Sequence, residues 1–165
     1  MTTKIIEHLN IDQLRSLIAD VVGVPNSRVL QWGKQQDVSA LDFFITVRVN
    51  PSASLANTFK FDSLAEKQTI EAQKETTAII GFHGKNAFVM AEFFQQSLLS
   101  EKANRLFDTI KCGLVRTSDV QDLTIPFGAG YEERAEIQLT LSHNFTIEYQ
   151  QNRIETVDIG LVLNQ

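Results

Sequence analysis

The sequence predicts an α+β domain, a mostly antiparallel β-sheet packed by helices, in the order α-β-β-α-α-β-β-β. Two observations carry this. Residues 131–149 place apolar side chains at odd positions (Tyr131, Ala135, Ile137, Leu139, Leu141, Phe145, Ile147, Tyr149) and polar ones at even positions, the period of a half-buried strand. Residues 85–111 instead repeat at three and four, the period of helices with one apolar face. At 165 residues the chain has the size of one domain, so 1–165 is read as a single unit. A hydrophobic share of 43% and a charged share of 21% are ordinary for a globular protein. They exclude collagen-like, low-complexity and largely disordered chains. Eleven phenylalanines predict a Phe-rich core.

The first helix is expected at 10–22, where Ile11, Leu14, Leu17, Ile18 and Val21 form a stripe, Asn10 serves as N-cap and Gly23-Val24-Pro25 as stop. In 26–36, Val29, Leu30 and Trp32 are expected to be pinned to the core. A strand follows at 41–49, with Leu41, Phe43, Ile45, Val47 and Val49 on one face and Asp42, Thr46 and Arg48 on the other. Phe44 breaks the polar face, which predicts that this side is partly covered. Residues 51–66 have no sustained period and read as a long loop or arm. Residues 69–82 alternate again, and Gly81-Phe82-His83-Gly84 reads as punctuation. Ala87, Ala91, Phe94 and Leu98 form the stripe of the next helix, widened by Met90 and Phe88. A third helix, 101–111, buries Ala103, Leu106, Phe107 and Ile110.

The remainder is β. A weaker strand spans 114–125 with an interruption at Ser118-Asp119, followed by a glycine-rich turn at 126–130. The alternating run 131–149 is too long for an ordinary strand. It predicts a bend or bulge near Ser142-His143-Asn144, or a projecting hairpin. A turn at 150–153 and a return strand with Val157, Ile159, Leu161 and Leu163 complete a long C-terminal β-hairpin.

Charge and motifs exclude several function classes. The formal net charge is −5, with lysines and arginines scattered singly, so no footprint for gripping phosphates exists. The one cysteine, Cys112, has no internal partner and reads as a small buried hydrophobe at a helix end. Residues 1–7 lack the apolar run of a signal peptide, and no window reaches the ~18 apolar residues of a membrane span. A reducing aqueous compartment and no membrane contact are expected. His8, His83 and His143 are far apart and lack metal-ligand spacing. Gly81-Phe82-His83-Gly84-Lys85 fails as a phosphate loop, since Ile79 and Asn86 occupy the positions that need Gly and Ser or Thr. Glu132, Glu133 and Glu136 suggest paired carboxylates, but Glu132 and Glu136 flank Arg134 on a polar strand face. They read as a solvated or intersubunit surface, with Glu133 exposed at the strand's start. With no nucleophile elbow or Cys/His arrangement, no enzyme activity, catalytic residue, cofactor or metal is expected.

Two stretches resemble a known family. One is Ala78-Ile79-Ile80-Gly81-Phe82-His83-Gly84-Lys85-Asn86-Ala87-Phe88-Val89-Met90-Ala91-Glu92, an aromatic-x-Gly-x-x-Ala turn into a helix. The other is Gly130-Tyr131-Glu132-Glu133-Arg134-Ala135-Glu136-Ile137-Gln138-Leu139, similar to a Tyr-Glu-Arg-Arg-Ala opening with Glu133 replacing one Arg. Together they resemble the phage neck and tail terminator family, the tail completion proteins of tailed phages and prophages. Element order matches over 40–163. The resemblance implies a small virion subunit, assembled in the host cytoplasm, that forms a ring, generally sixfold, at the head-proximal end of the tail tube. Such a ring stops tube polymerisation and joins the tail to the neck. Its implied partners are other copies of itself, tail tube and sheath proteins, the head-tail connector, and genomic DNA passing through the lumen without specific binding. The family has no catalytic residues to carry over.

Phe59 and Phe61, in a segment too polar to bury them locally, and Arg134, Glu136 and Gln138, on the even face of the long strand, are the expected interface residues. Two alternatives stand beside this reading. One is a head-tail connector (stopper) or other minor tail subunit. The other, of a different class, is a monomeric ligand-binding domain with a pocket between helix and sheet, against which counts the lack of convergent polar residues on apolar faces.

Overall fold

A computed structural model describes residues 3–152. In chain order it contains β1 (Thr3–Glu7), α1 (Ile11–Val22), a 3-10 turn (Asn26–Arg28), β2 (Val29–Gln31), β3 (Phe43–Val49), β4 (Ala53–Asp62) and β5 (Lys67–Gly84). Then come α2 (Ala87–Ser97), α3 (Glu101–Thr109), β6 (Cys112–Thr117), β7 (Gln121–Asp122), β8 (Ile125–Phe127), β9 (Gly130–Glu132) and β10 (Arg134–Gln150). The predicted α+β class holds, and each predicted helix lies within a residue or a few of its expected bounds.

Two long antiparallel strands, β5 and β10, form the spine of a sheet that has eight strands among the described residues. They pair without a register shift from Arg134 opposite His83 to Gln150 opposite Lys67. The bend expected near Ser142-His143-Asn144 is absent from this ladder, because β5 is as long as β10 and supports it throughout. Short strands share the outer edges. β7, β6 and β1 line β10 in succession, and register slips at Thr140/Leu141 and Ile5/Glu7 fall in those pairings. Along β5, β3 takes the upper half and β4 the lower. β2 pairs with β3 in parallel, and β8 and β9 form a separate small hairpin around Gly128. The expected return strand at 157–163 lies outside the described residues.

The helices pack on one face of the sheet. Leu14, Leu17 and Ile18 of α1, Ala87, Ala91 and Phe94 of α2, and Ala103 and Phe107 of α3 are buried with Ile45, Val47, Ala78, Ile80, Phe82, Ala135, Ile137, Leu139 and Leu141. Asn10 caps α1 as expected, its Oδ1 accepting from the amides of Asp12 (2.9 Å) and Gln13 (3.3 Å). Gly23 closes that helix in the left-handed region, φ 80°.

Several expectations are corrected. Within the loop or arm expected at 51–66, residues 53–62 form strand β4, joined by a turn to β5, with which it pairs. Every residue of β4 is exposed, so neither face supplies the apolar alternation that marks a half-buried strand. β1 and β2 escape the pattern because they are only 5 and 3 residues long. Trp32 is not in the core but 60% exposed, while Val29 and Leu30 beside it are buried. Phe88 is an exposed residue of α2. Cys112 is buried as expected but opens β6 instead of ending a helix. The Gly81–Gly84 stretch is strand, and the turn begins only after it. Gly84 has φ 99°, and a Cβ there would collide with the Asp42 carbonyl, so β3 and β5 approach where only glycine fits.

Candidate functional site

The face of the sheet opposite the helices has a regular cross-strand grid. Phe44, His83 and Arg134 form one row, Thr46, Gly81 and Glu136 the next, and Arg48, Ile79 and Gln138 a third. The Phe44 ring stacks on His83 with centroids 4.7 Å apart and planes 7° from parallel. Thr46 Oγ1 and His83 Nε2 share a hydrogen bond of 3.0 Å above Gly81. A side chain at 81 would put its Cβ 2.6 Å from that hydroxyl, so the glycine keeps the floor open. The Arg48 guanidinium lies over the Trp32 ring, 5.2 Å from its centroid, within cation–π range.

Trp32 and Leu123, with Thr46, Arg48, Gly81, His83, Arg134 and Glu136 of these rows, enclose a depression of about 300 Å³. Arg134 and Glu136 both line it without forming an ion pair, and the buried Arg134 Nε has no hydrogen-bond partner. Burial holds His83 below the ordinary histidine value of 6.5, helped by Arg134 and opposed by Glu132. Its lining carries two arginines, Arg48 and Arg134, against the one carboxylate of Glu136, with Glu132 close enough to act on His83.

The second surface is the arm. Register puts Ile5, Ile147, Ile70 and Phe59 in one cross-strand row, and Thr3, Tyr149, Gln68 and Phe61 in the next. These rows continue the face that carries the core beyond the helices. Phe59 is 65% and Phe61 49% exposed. Lys60 pairs with Glu71 at 3.2 Å and Lys67 with Glu148 at 3.6 Å. At the tip, Asp62 Oδ1 accepts from the amides of Leu64 (2.9 Å) and Ala65 (3.1 Å), which leaves Leu64 89% exposed.

The structure thus brings Arg134 and Glu136 into one depression, sets Gln138 outside its lining in the row of Arg48 and Ile79, and places Phe59 and Phe61 at the far end of the ladder. Trp32, Thr46, Arg48 and His83 were missed as members of the first surface. The sequence signal for them was Phe44, whose interruption of the polar face of 41–49 marked that face as covered. Glu133 was read as merely exposed. Its Oε2 accepts from the Asn86 amide at 2.7 Å and its carbonyl from the Gly84 amide at 3.0 Å. It thus caps the start of α2, where a carboxylate is favoured.

Elsewhere, buried His143 shares a 2.8 Å hydrogen bond with Thr76 Oγ1, and burial pushes the Cys112 thiol up to about 11. Among the described residues no three His, Cys, Asp or Glu side chains group as metal ligands, and no helix is long and apolar enough to cross a membrane.

Comparison with known proteins adds one match. The model of a family described as phage neck terminator protein fits residues 11–165. A search among curated proteins found no match to the chain.

Proposed function

Because the chain belongs to the phage neck terminator family, we propose that it forms a ring of about six copies that ends the tail tube and joins it to the head-side connector. Membership gives the coarser role, a structural protein of the virion neck and tail. The finer reading adds the tube, the connector and possible sheath contact as partners, and DNA as a passenger in the lumen that is not bound.

The observation that carries the finer reading is the arm. It extends the sheet beyond its helices and exposes Phe59 and Phe61 on a face continuous with the core. Interfaces draw much of their energy from a few such aromatics, and the outer strand of the arm offers an edge for pairing across chains. Arg134, Glu136 and Gln138, on the opposite face at the other end of the ladder, are the second proposed contact. A net charge of −5 suits a conduit that must not hold DNA. Family membership fits a structural role.

Native mass spectrometry of the free protein and particle reconstruction of assembled necks test this. Closed rings of about six copies in either state are the expected result. Isolated monomers in both states would overturn it.

A further inference from the structure

The arm tip and the cationic depression have complementary chemistry, yet one chain cannot bring them together. From Lys67 at the tip to Gly81 at the depression, β5 measures roughly 45 Å along the strand at ~3.3 Å per residue, and its unbroken pairing with β10 keeps the two ends apart. The tip presents Leu64, almost wholly in solvent, and the Asp62 carboxylate. Its hydrogen bonds come from backbone amides, which leave the carboxylate's formal charge in place. The flanking Lys60 and Lys67 are held by Glu71 and Glu148. The depression presents the mirror chemistry. Arg48 contacts the Trp32 ring, Arg134 Nε is buried without a partner, the two guanidinium groups outnumber the lining Glu136 carboxylate, and exposed Trp32 forms an apolar rim.

We infer that the arm tip of one copy docks in the depression of the next, Leu64 against Trp32 and Leu123, with the Asp62 carboxylate directed at Arg48 and Arg134. Two different patches of one chain then meet, a head-to-tail contact that closes into a ring when the rotation per step permits. An apolar anchor with a charge-assisted bond to guanidinium gives such a contact both energy and register. This inference rests on the ring reading, whose two proposed surfaces it joins into one interface.

Ser63→Cys at the tip and Lys34→Cys two residues after Trp32, both exposed, leave the proposed contact residues intact. The buried native Cys112 provides the unreactive background in wild type. The two variants are mixed and treated with a short bismaleimide, as free protein and in assembled neck particles, with native mass measured in parallel. Cross-linked dimers in the mixture and in neither variant alone are the expected result. Assembled copies without this cross-link, or cross-linking of Ser63→Cys to itself, overturn the docking while leaving the ring. Failure to assemble in either setting overturns both.

A second experiment tests the charge pairing. Asp62→Asn keeps the oxygen that accepts the two amides and removes the charge. It should weaken self-association at least tenfold, and Arg48→Gln added to it should have little further effect. Independent, additive losses would overturn the pairing.

Discussion

Glu133 and Asn86 are joined across 47 residues by a 2.7 Å hydrogen bond in which the carboxylate accepts from the amide of the residue that precedes α2. Asn86 itself lies in the left-handed region, φ 63°, and its side chain makes no cap. The strand entering β10 therefore supplies what the local sequence does not. Glu133→Ala should cost about 1 kcal/mol, in the range of a lost N-cap, read as a lower urea midpoint at unchanged slope. An unchanged midpoint would mean that water replaces the carboxylate without loss.

Phe94 is fully buried between α2 and the sheet, 5.7 Å from the Phe82 ring. Phe94→Ala should cost about 3–5 kcal/mol, the transfer of a large ring plus the cavity it leaves. Denaturant titration measures this directly. A loss below ~1 kcal/mol would show that the site collapses to fill the space.

Stability should depend on pH through two histidines. Burial comes first for both in holding His83 and His143 below 6.5. The unfolded chain therefore takes up protons before the folded one, and stability falls as pH drops through about 6.5. Above about pH 7.5 this contribution is flat. The urea midpoint should be lower at pH 5.5 than at 7.5, and His83→Gln with His143→Gln should reduce the difference. A wild-type midpoint equal at both values would contradict the sign.

Replacing Phe59 and Phe61 together by Ser should leave the fold intact, since neither ring is buried in the monomer. Assembly should weaken, and Arg134→Glu should weaken it as well by placing an acid in the cationic depression. Circular dichroism checks the fold, and analytical ultracentrifugation or a tail-capping assay reads assembly. An arm variant that unfolds would make those rings structural. One that assembles normally would make the arm passive.

The elements legible in the sequence are those with one buried face. The stripe Ala87, Ala91, Phe94 and Leu98 reads at helical spacing because all four are buried in the core, and β10 reads at period two because the core buries its odd side from Ala135 to Leu141 and the same face stays half-buried to Tyr149. β4 was invisible as a strand because water reaches both its faces, so composition there answers to solubility and assembly. Trp32 misled because an aromatic beside buried Val29 and Leu30 looks like core when it is rim. Among the candidate site residues, Arg134 and Glu136 were found from the parity of their own strand. Their neighbours Arg48 and His83 come from other strands, and only pairing register makes them adjacent. The capping role of Glu133 was hidden for the same reason, since its partner is remote in sequence.

The uninterrupted β5–β10 ladder also orders the events of folding. Its His83–Arg134 end closes a loop of roughly 50 residues that contains α2 and α3, and its Lys67–Gln150 end encloses roughly 80. The helical hairpin inside the loop forms from local contacts, but every rung of the ladder is long-range, which slows the search. Zipping should start beside α2 and finish at the arm. The same gradient runs in reverse in the native state, where the rungs from Ile70–Ile147 to Lys67–Gln150 hold no fully buried residue. Amide exchange should accordingly be slowest near Ile80 and Ile137 and fastest toward Lys67 and Gln150. The arm would then breathe while the body stays closed.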